Sequence, residues 1–580
     1  MKKKNTTRRQ DIHIVQDNKN NKTENNKLKV FGFLLTYYVV LFLIFYFSLF
    51  ALSGYSAFFY IYIFLILAPI MYIVIKQILD KKYLDKTYTV KCINFKKIHL
   101  KLDGKKTYVT QFIVAGLVVV LIFLGITRFA GSTLFNAKKL SHQLPIIEGT
   151  TEEFEEVFSY DKSEVKLPII DKDLAFRLAE QTLGNYGAQY TVNYDNFTIT
   201  SVIEDGEEKL YRVTPLEYSG FFVSINKMST GSVGYIKVNV ETQEAELIEV
   251  EGGIKYLPSA ILNYDLNRKV RFSYPTKLFG KYSFEIDDSG NPYWVIPTYR
   301  NECALFAGAN SMGTIVLDAV TGESNYYEIG EEPRFVDRVC DTDLVDKQAT
   351  NALKYQNGFF NATVGAKSNV FATSDGYNYF IRDGHTYYVS CITSVNNNDQ
   401  TSIGFVTIDL KTKEAKKYLI PGITEMRARD ILMLDESVKA QALDATWPIL
   451  INYRGVPTYF VTLKNNVQFQ LACLINVSDG SVVAMGNTLD EAAKKYESLL
   501  AEKGEGDIEE FEIVGTVTKL LFRESAQEID FIIDSLNNEY FVVRIDLSLA
   551  ARFLKVGDKV KLTYQKSQSY NYVLKIELLE

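Results

Sequence analysis

Gly313-Thr-Ile-Val-Leu-Asp318-Ala-Val-Thr321-Gly-Glu323 has two counterparts in the same chain, Gly234-x4-Asn239-x2-Thr242-x-Glu244 and Gly404-x4-Asp409-x2-Thr412-x-Glu414. Each reads as a strand that leaves a Gly-containing turn, alternates apolar and polar residues, and ends in an Asp/Asn-x-x-Thr turn. In such a turn a short polar side chain can hydrogen-bond the backbone two or three residues on. The copies start about 80 and 90 residues apart, too far for a solenoid and right for a small domain. The pattern therefore predicts an array of related modules.

Working outward, a helical signal precedes each strand-rich stretch. Asp171 is placed to N-cap a helix whose Leu174, Ala175, Leu178, Ala179 and Leu183 share one face, with Gly184 as its stop. Similar signals run over about 258–271, 336–355, 426–442 and 489–502. The unit expected is a helix followed by an antiparallel meander that it covers on one face. Four units are expected, at 169–255, 256–335, 336–422 and 423–505. In the fourth the turn Ser478-Asp479-Gly480 survives, but the Asp-x-x-Thr signature does not. Residues 511–580 differ: five strand signals, with a short apolar helical segment after the third, predict an OB-like barrel, and an SH3-like barrel remains open.

The first unit resembles the PepSY domain. The likeness rests on the helix Asp171-Lys-Asp-Leu-Ala-Phe-Arg-Leu-Ala-Glu, the strand Lys209-Leu-Tyr-Arg-Val and the ending Tyr235-Ile-Lys-Val-Asn-Val-Glu-Thr-Gln-Glu. That family ends its hairpin in a valine-aspartate-x-x-threonine-glycine motif, matched best by Ile315-Val-Leu-Asp-Ala-Val-Thr-Gly-Glu323; Asn239, Gln243 and Lys413 depart from it. The resemblance implies a non-catalytic envelope module associated with inhibiting or regulating peptidases, and supplies no active-site residues.

The N-terminal region sets the location. Residues 1–130 hold 20 Lys and Arg against six acids, and the rest of the chain holds 44 against 64. No charge falls between Lys29 and Lys76, a run that as one helix would be roughly twice the bilayer core. Two crossings are therefore expected, broken at Ser53-Gly54-Tyr55-Ser56, and the run Thr107 to Thr127 predicts a third. The expected parts are a basic cytosolic tail (1–29), a membrane anchor (30–128) with a basic cytosolic loop at 76–106, and an acidic juxtamembrane stalk (131–168). The positive-inside rule puts the tail and the loop in the cytosol and everything after about 130 outside the cell. These apolar runs are too long for the core of a cleaved signal peptide. The partners expected are the lipid bilayer and a protein of the cell envelope. The Lys, Asn, Ile and Tyr richness points to an AT-rich genome of Gram-positive type.

Sites for chemistry are few. Glu285, Asp287, Asp288 and Asn291 are oxygen donors at short spacing that would suit Ca²⁺, but the EF-hand spacing is absent and a hairpin turn explains the same residues. His142 and His385 are the histidines beyond the third span. His385 lies six residues before Cys391, whose apolar strand neighbours disfavour a thiolate. Cys303, Cys391 and Cys473 occupy apolar strands as small buried hydrophobes, while Cys340 stands apart; four such cysteines would allow three pairings and the sequence specifies none. Between 511 and 580 nine basic residues face ten acids, which argues against nucleic acid. No Gly-x-Ser-x-Gly, His-Glu-x-x-His or Walker pattern occurs.

The fold class expected is α+β: N-terminal transmembrane helices, tandem helix-plus-sheet modules and a small C-terminal β-barrel. The function expected is an extracytoplasmic binding or regulatory protein that modulates a peptidase or scaffolds a surface assembly. No catalytic residue, cofactor, metal site or small-molecule substrate is assigned. The alternatives are an envelope glycan or peptide hydrolase acting through carboxylates such as Glu285 and Asp287, and a structural spacer in a membrane complex.

Overall fold

In a computed structural model, the described residues are 28–82, 104–160, 167–365, 367–395, 400–465, 468–503, 506, 510–523, 528–536, 539–545, 547–566 and 571–579. The basic tail and most of the 76–106 loop lie outside them. The chain divides into two compact units: residues 1–132, 265–278 and 300–309 form one, and 133–264, 279–299 and 310–580 the other. It is a mixed helix and sheet protein.

The first unit holds three helices long and apolar enough to cross a membrane: α1 (Leu28–Ser48), α2 (Ala57–Lys82, its candidate span Ala57–Ile75) and α3 (Gly104–Ala130, its candidate span Gln111–Ala130). Within α2, Pro69 has no N–H to give the carbonyl of Leu65 four residues back. The Tyr37 hydroxyl of α1 donates to that carbonyl at 2.8 Å, and the Tyr38 hydroxyl donates to the carbonyl of Ile66 at 3.2 Å. Backbone groups in lipid must find partners, and these tyrosines supply them between helices. Where α2 meets α3, a Cβ at Gly116 would lie 3.0 Å from the Phe64 ring. The same unit contains helix Leu266–Ser273, capped by the Asp265 carboxylate. Its Arg271 donates to the carbonyl of Leu49 (2.9 Å) in the α1–α2 turn and to that of Lys277 (2.7 Å). The Arg268 guanidinium lies over the Tyr46 ring at 4.1 Å.

Among the described residues the strands form four larger sheets, two two-stranded ones and a closed barrel. The first sheet is a four-stranded antiparallel meander (Thr198–Glu204, Glu207–Pro215, Ser232–Asn239, Ala245–Ile254). It follows helix Lys172–Thr182, which Asp171 caps through the Leu174 N–H. The second sheet has five strands between Leu278 and Glu328, centred on Pro292–Cys303 and Ala307–Asp318. The third follows helix Thr342–Lys354 and is built on His385–Ser394 and Gly404–Asp409. The fourth follows helix Glu425–Leu434 and is built on Val456–Lys464 and Phe469–Asn476. Helix Leu489–Lys503 then buries Ala492, Tyr496, Leu500 and Ala501 in the core that also takes Cys473 and Leu474. In the C-terminal segment five strands close into a barrel, with Phe541–Arg544 pairing in parallel with Asn571–Leu579.

The repeated turn has one construction. The side-chain oxygen of Asn239 accepts from the N–H groups of Glu241 and Thr242, that of Asp318 from Val320 and Thr321, and that of Asp409 from Lys411 and Thr412. The fourth sheet repeats it: Asn476 accepts from Ser478 at 2.8 Å and Asp479 at 3.0 Å. The Asp-x-x-Thr signature is indeed absent from the fourth unit, yet the cap persists, because Asn accepts as Asp does and only backbone N–H groups are needed. The repeated glycines also belong to the strands rather than to the turns before them.

A correction concerns 131–168, expected as a stalk. Strand Ile146–Glu148 adds in parallel to the edge strand Ala415–Tyr418 of the third sheet. Helix Thr151–Phe158 begins with a Thr150/Glu153 capping box and buries Phe154 and Phe158 among Phe380, Phe405 and Tyr418. Glu152, Glu153, Glu155 and Glu156 dominate the composition, but Phe154 and Phe158 are four apart and share the inward face.

Candidate functional site

The acids singled out in the sequence do not converge. Glu285 is fully buried, accepting from the Ser283 hydroxyl at 2.7 Å and from the Asp337 N–H at 2.8 Å. Asp337 accepts from the Thr200 hydroxyl at 2.7 Å and the Ser201 N–H at 3.0 Å. Burial first, then the Asp337 charge, raise the Glu285 carboxyl; burial likewise raises Asp337. This pair joins three distant stretches of sequence and is closed to solvent. Asp287 ties off its own hairpin, accepting from the N–H groups of Ser289 and Asn291. Asp288 reaches instead to the Ile203 N–H at 2.9 Å and to Arg334 at 3.3 Å. Glu285, Asp287 and Asp288, within four consecutive residues, thus point in three directions. Among the described residues no group of three or more His, Cys, Asp or Glu is arranged to hold a metal.

The Cys391 and His385 pairing also fails on geometry. Both lie on strand His385–Ser394, where a six-residue separation spans roughly 20 Å at about 3.3 Å per residue. His385 instead pairs with Asp409 at 2.8 Å. The Cys391 sulfur lies 2.9 Å from the Tyr459 hydroxyl, and burial, followed by the Glu425 charge, pushes its thiol far up. Cys303, Cys340 and Cys473 are buried as well, and burial raises the Cys340 thiol to about 11. His142 ends helix Thr133–Ser141, its Nδ1 2.6 Å from the carbonyl of Lys138.

A cleft of about 200 Å³ opens in the second unit at the start of helix Lys172–Thr182. The helix start contributes Asp171, Lys172 and Asp173; Tyr194 and Arg212 come from the first sheet and its preceding turn; Asn378, Trp447 and Thr462 come from the third and fourth sheets. Lys464 pairs with the carboxylates of both Asp171 and Asp173. The Tyr194 hydroxyl donates to Asp173 at 2.7 Å. Burial opposes ionisation of Asp173, yet the Tyr194 and Lys464 bonds hold its carboxyl below the usual range. Burial and Asp173 together push the Tyr194 phenol up to about 12. The Trp447 ring packs against the backbone of Gly376, where a Cβ would fall 2.4 Å from the indole.

The cations are held differently. The Lys172 ammonium stands 4.4 Å from the Tyr194 ring centroid. It is lowered to about 8 by burial first and then by the charges of Lys281, Arg212 and Arg338, with Asp195 opposing. Arg212 makes one long bond, from Nε to the carbonyl of Ile170 at 3.4 Å, and burial lowers it to about 10. Sequence reasoning saw Asp171 as a helix cap and missed the rest, since the lining runs from residue 168 to 462. The one local signal was an uninterrupted Asp-Lys-Asp at a helix start.

No family model and no curated protein matches the chain. Among solved structures, a levansucrase mutant of B. megaterium aligns over 76% of this chain and 97% of its own, at 9% identity and a TM-score of 0.19. That score is too low to carry fold or activity across.

Proposed function

We propose that the chain is a membrane-anchored, non-catalytic binding or regulatory protein of the bacterial cell envelope, its residues after about 130 extracytoplasmic and its partner an envelope peptidase or surface assembly. The observation that carries this reading is how the acids are used. Glu285 is sealed in a junction and Asp287 closes its own turn. The two acids that reach the cleft are both paired with Lys464. A carboxylate hydrolase needs one acid with a raised pKa facing substrate; of the acids singled out in the sequence, the raised one, Glu285, faces the core.

The finer architecture belongs to the same proposal. A helix followed by a sheet whose hairpin is closed by an Asn or Asp cap supports PepSY-like modules. The barrel order, with the first strand beside the second and fourth and the third beside the fifth, supports an OB-like end. The Arg271 bond to the carbonyl of Leu49 supports a topology in which the α1–α2 turn and the chain beyond α3 share one side of the membrane.

Crosslinking of the full-length protein in intact cells tests the function. Recovery of a protease or an assembly component through residues beyond 130 is the expected result. Turnover of cell-wall glycan or peptide by the purified full chain, abolished by Glu285→Gln or Asp287→Asn without loss of folding, would overturn it.

A further inference from the structure

The cleft separates its charges unevenly. Its acids, Asp171 and Asp173, are paired with Lys464, whereas no carboxylate lies within ion-pair distance of Lys172, Arg212, Arg338 or Lys281 among the described residues. Those four cations are close enough for three of them to depress the fourth, with Asp195 opposing at Lys172, Asp171 at Arg212, and Asp337 and Glu285 at Arg338. Two N–H donors of this region, Nε of Arg338 and Nε1 of Trp447, are buried with no acceptor among the described residues. Like charges gathered around a cavity raise the energy of the unliganded protein, and an anion of matching charge relieves it.

We propose that this cleft binds a phosphate-bearing ligand, the phosphate seated between the Lys172 ammonium and the Arg212 guanidinium and its organic part against the Trp447 and Tyr194 rings. The inference rests on the binding reading above. A phosphate monoester carries about −1.5 to −2 charge at neutral pH and can meet both lining cations, Lys172 and Arg212, neither of which is ion-paired among the described residues. The guanidinium offers a planar fork to two phosphate oxygens and the ammonium a compact point charge. A cavity of about 200 Å³ has the volume of roughly six or seven waters, at about 30 Å³ each, enough for a phosphate and part of a small ring.

The chain has two tryptophans, and Trp294 is sealed in the core with its Nε1 bonded to the carbonyl of Tyr256. Indole fluorescence that responds to ligand therefore reports Trp447, which Trp447→Phe checks by losing the response. The experiment titrates phenyl phosphate, inorganic phosphate and benzoate into the full-length protein in phosphatidylcholine nanodiscs. A parallel arm uses nanodiscs containing phosphatidic acid, which separates a lipid phosphate from a soluble one. Saturable binding of phenyl phosphate or of phosphatidic acid is expected, with benzoate at least tenfold weaker. Lys172→Gln and Arg212→Gln should each weaken it at least tenfold, Lys172→Arg should restore it, and the exposed Lys495→Gln should leave it unchanged.

Two results would overturn the assignment: no phosphate binding in either arm, or binding that survives Lys172→Gln with Arg212→Gln in a protein of unaltered melting temperature. If that folded double variant still captures its envelope partner by crosslinking, the phosphate assignment falls alone. If wild type binds phosphate and captures nothing, the protein-partner reading falls alone.

Discussion

A side chain at any of the three repeated glycines would strike the neighbouring strand. A Cβ at Gly234 would fall 1.8 Å from the carbonyl oxygen of Ile248, at Gly313 2.1 Å from that of Tyr327, and at Gly404 2.1 Å from that of Tyr418. Gly313 also has φ +144, outside the range of ordinary L residues. Gly313→Ala should therefore lower stability by about 2 to 4 kcal/mol. Gly187→Ala, where a Cβ meets nothing within 4 Å, should change it by less than about 1 kcal/mol; denaturant melts of the two compare them directly. Glu285 poses the opposite question, whether a buried charge is a burden. Its carboxyl is raised above the ordinary 4.5 by burial and by Asp337. Its stabilising contribution is thus fully present below its unfolded value and is lost as pH rises through its folded one. Gln keeps both bonds, its amide oxygen accepting the Asp337 N–H and its NH₂ donating to a rotated Ser283 hydroxyl. Glu285→Gln should then gain stability relative to the parent between pH 5 and pH 8, and the reverse trend in denaturation midpoints would contradict the buried-acid account.

At the scale of elements, the α1–α2 hairpin offers a test of how a proline is accommodated in lipid. The carbonyl of Leu65, left without an intrahelical donor by Pro69, takes the Tyr37 hydroxyl at 2.8 Å. Tyr37→Phe should destabilise the hairpin by about 0.6 to 2 kcal/mol. In a Pro69→Ala background the restored N–H serves Leu65, so the same substitution should lose most of that effect. A double-mutant cycle in bicelles that shows two additive losses would contradict the pairing. The helices themselves were legible, because a charge-free run of bilayer length has few other readings, and so was the Asp171 cap. Helix Thr151–Phe158 was not, since four glutamates outweigh two phenylalanines in composition although the phenylalanines decide burial. Nor was the Asn476 cap, because Asp479 stands where the other copies have threonine, while geometry asks only for backbone N–H groups. The Glu285–Asp337 junction and the cleft were illegible for a different reason. Residues 200, 285 and 337, or 172, 212 and 447, meet only once sheets have packed, and no spacing along the chain encodes that.

For the molecule as a whole, the sidedness of the membrane is the decisive quantity, and the chain carries its own reporter. Cys92 lies in the basic 76–106 loop, which the proposed topology puts in the cytosol. The cysteines beyond the third helix, Cys303, Cys340, Cys391 and Cys473, are buried and should not compete for reagent in the folded protein. The opposite end of the α1–α2 hairpin is fixed by contacts in its own unit. The Leu52 N–H donates to the carbonyl of Pro275 at 2.7 Å, and Arg271 donates to the carbonyl of Leu49. The turn at Ser53 must therefore lie on the side occupied by residues 265–278, far along the chain from α3. A membrane-impermeant maleimide applied to intact protoplasts should label a Ser53→Cys variant and leave Cys92 untouched until the membrane is permeabilised. Labelling of Cys92 in intact protoplasts, with Ser53→Cys protected, would invert the orientation and put the modules and the cleft in the cytosol. Labelling of both from outside would break the hairpin itself, because α2 would then not cross.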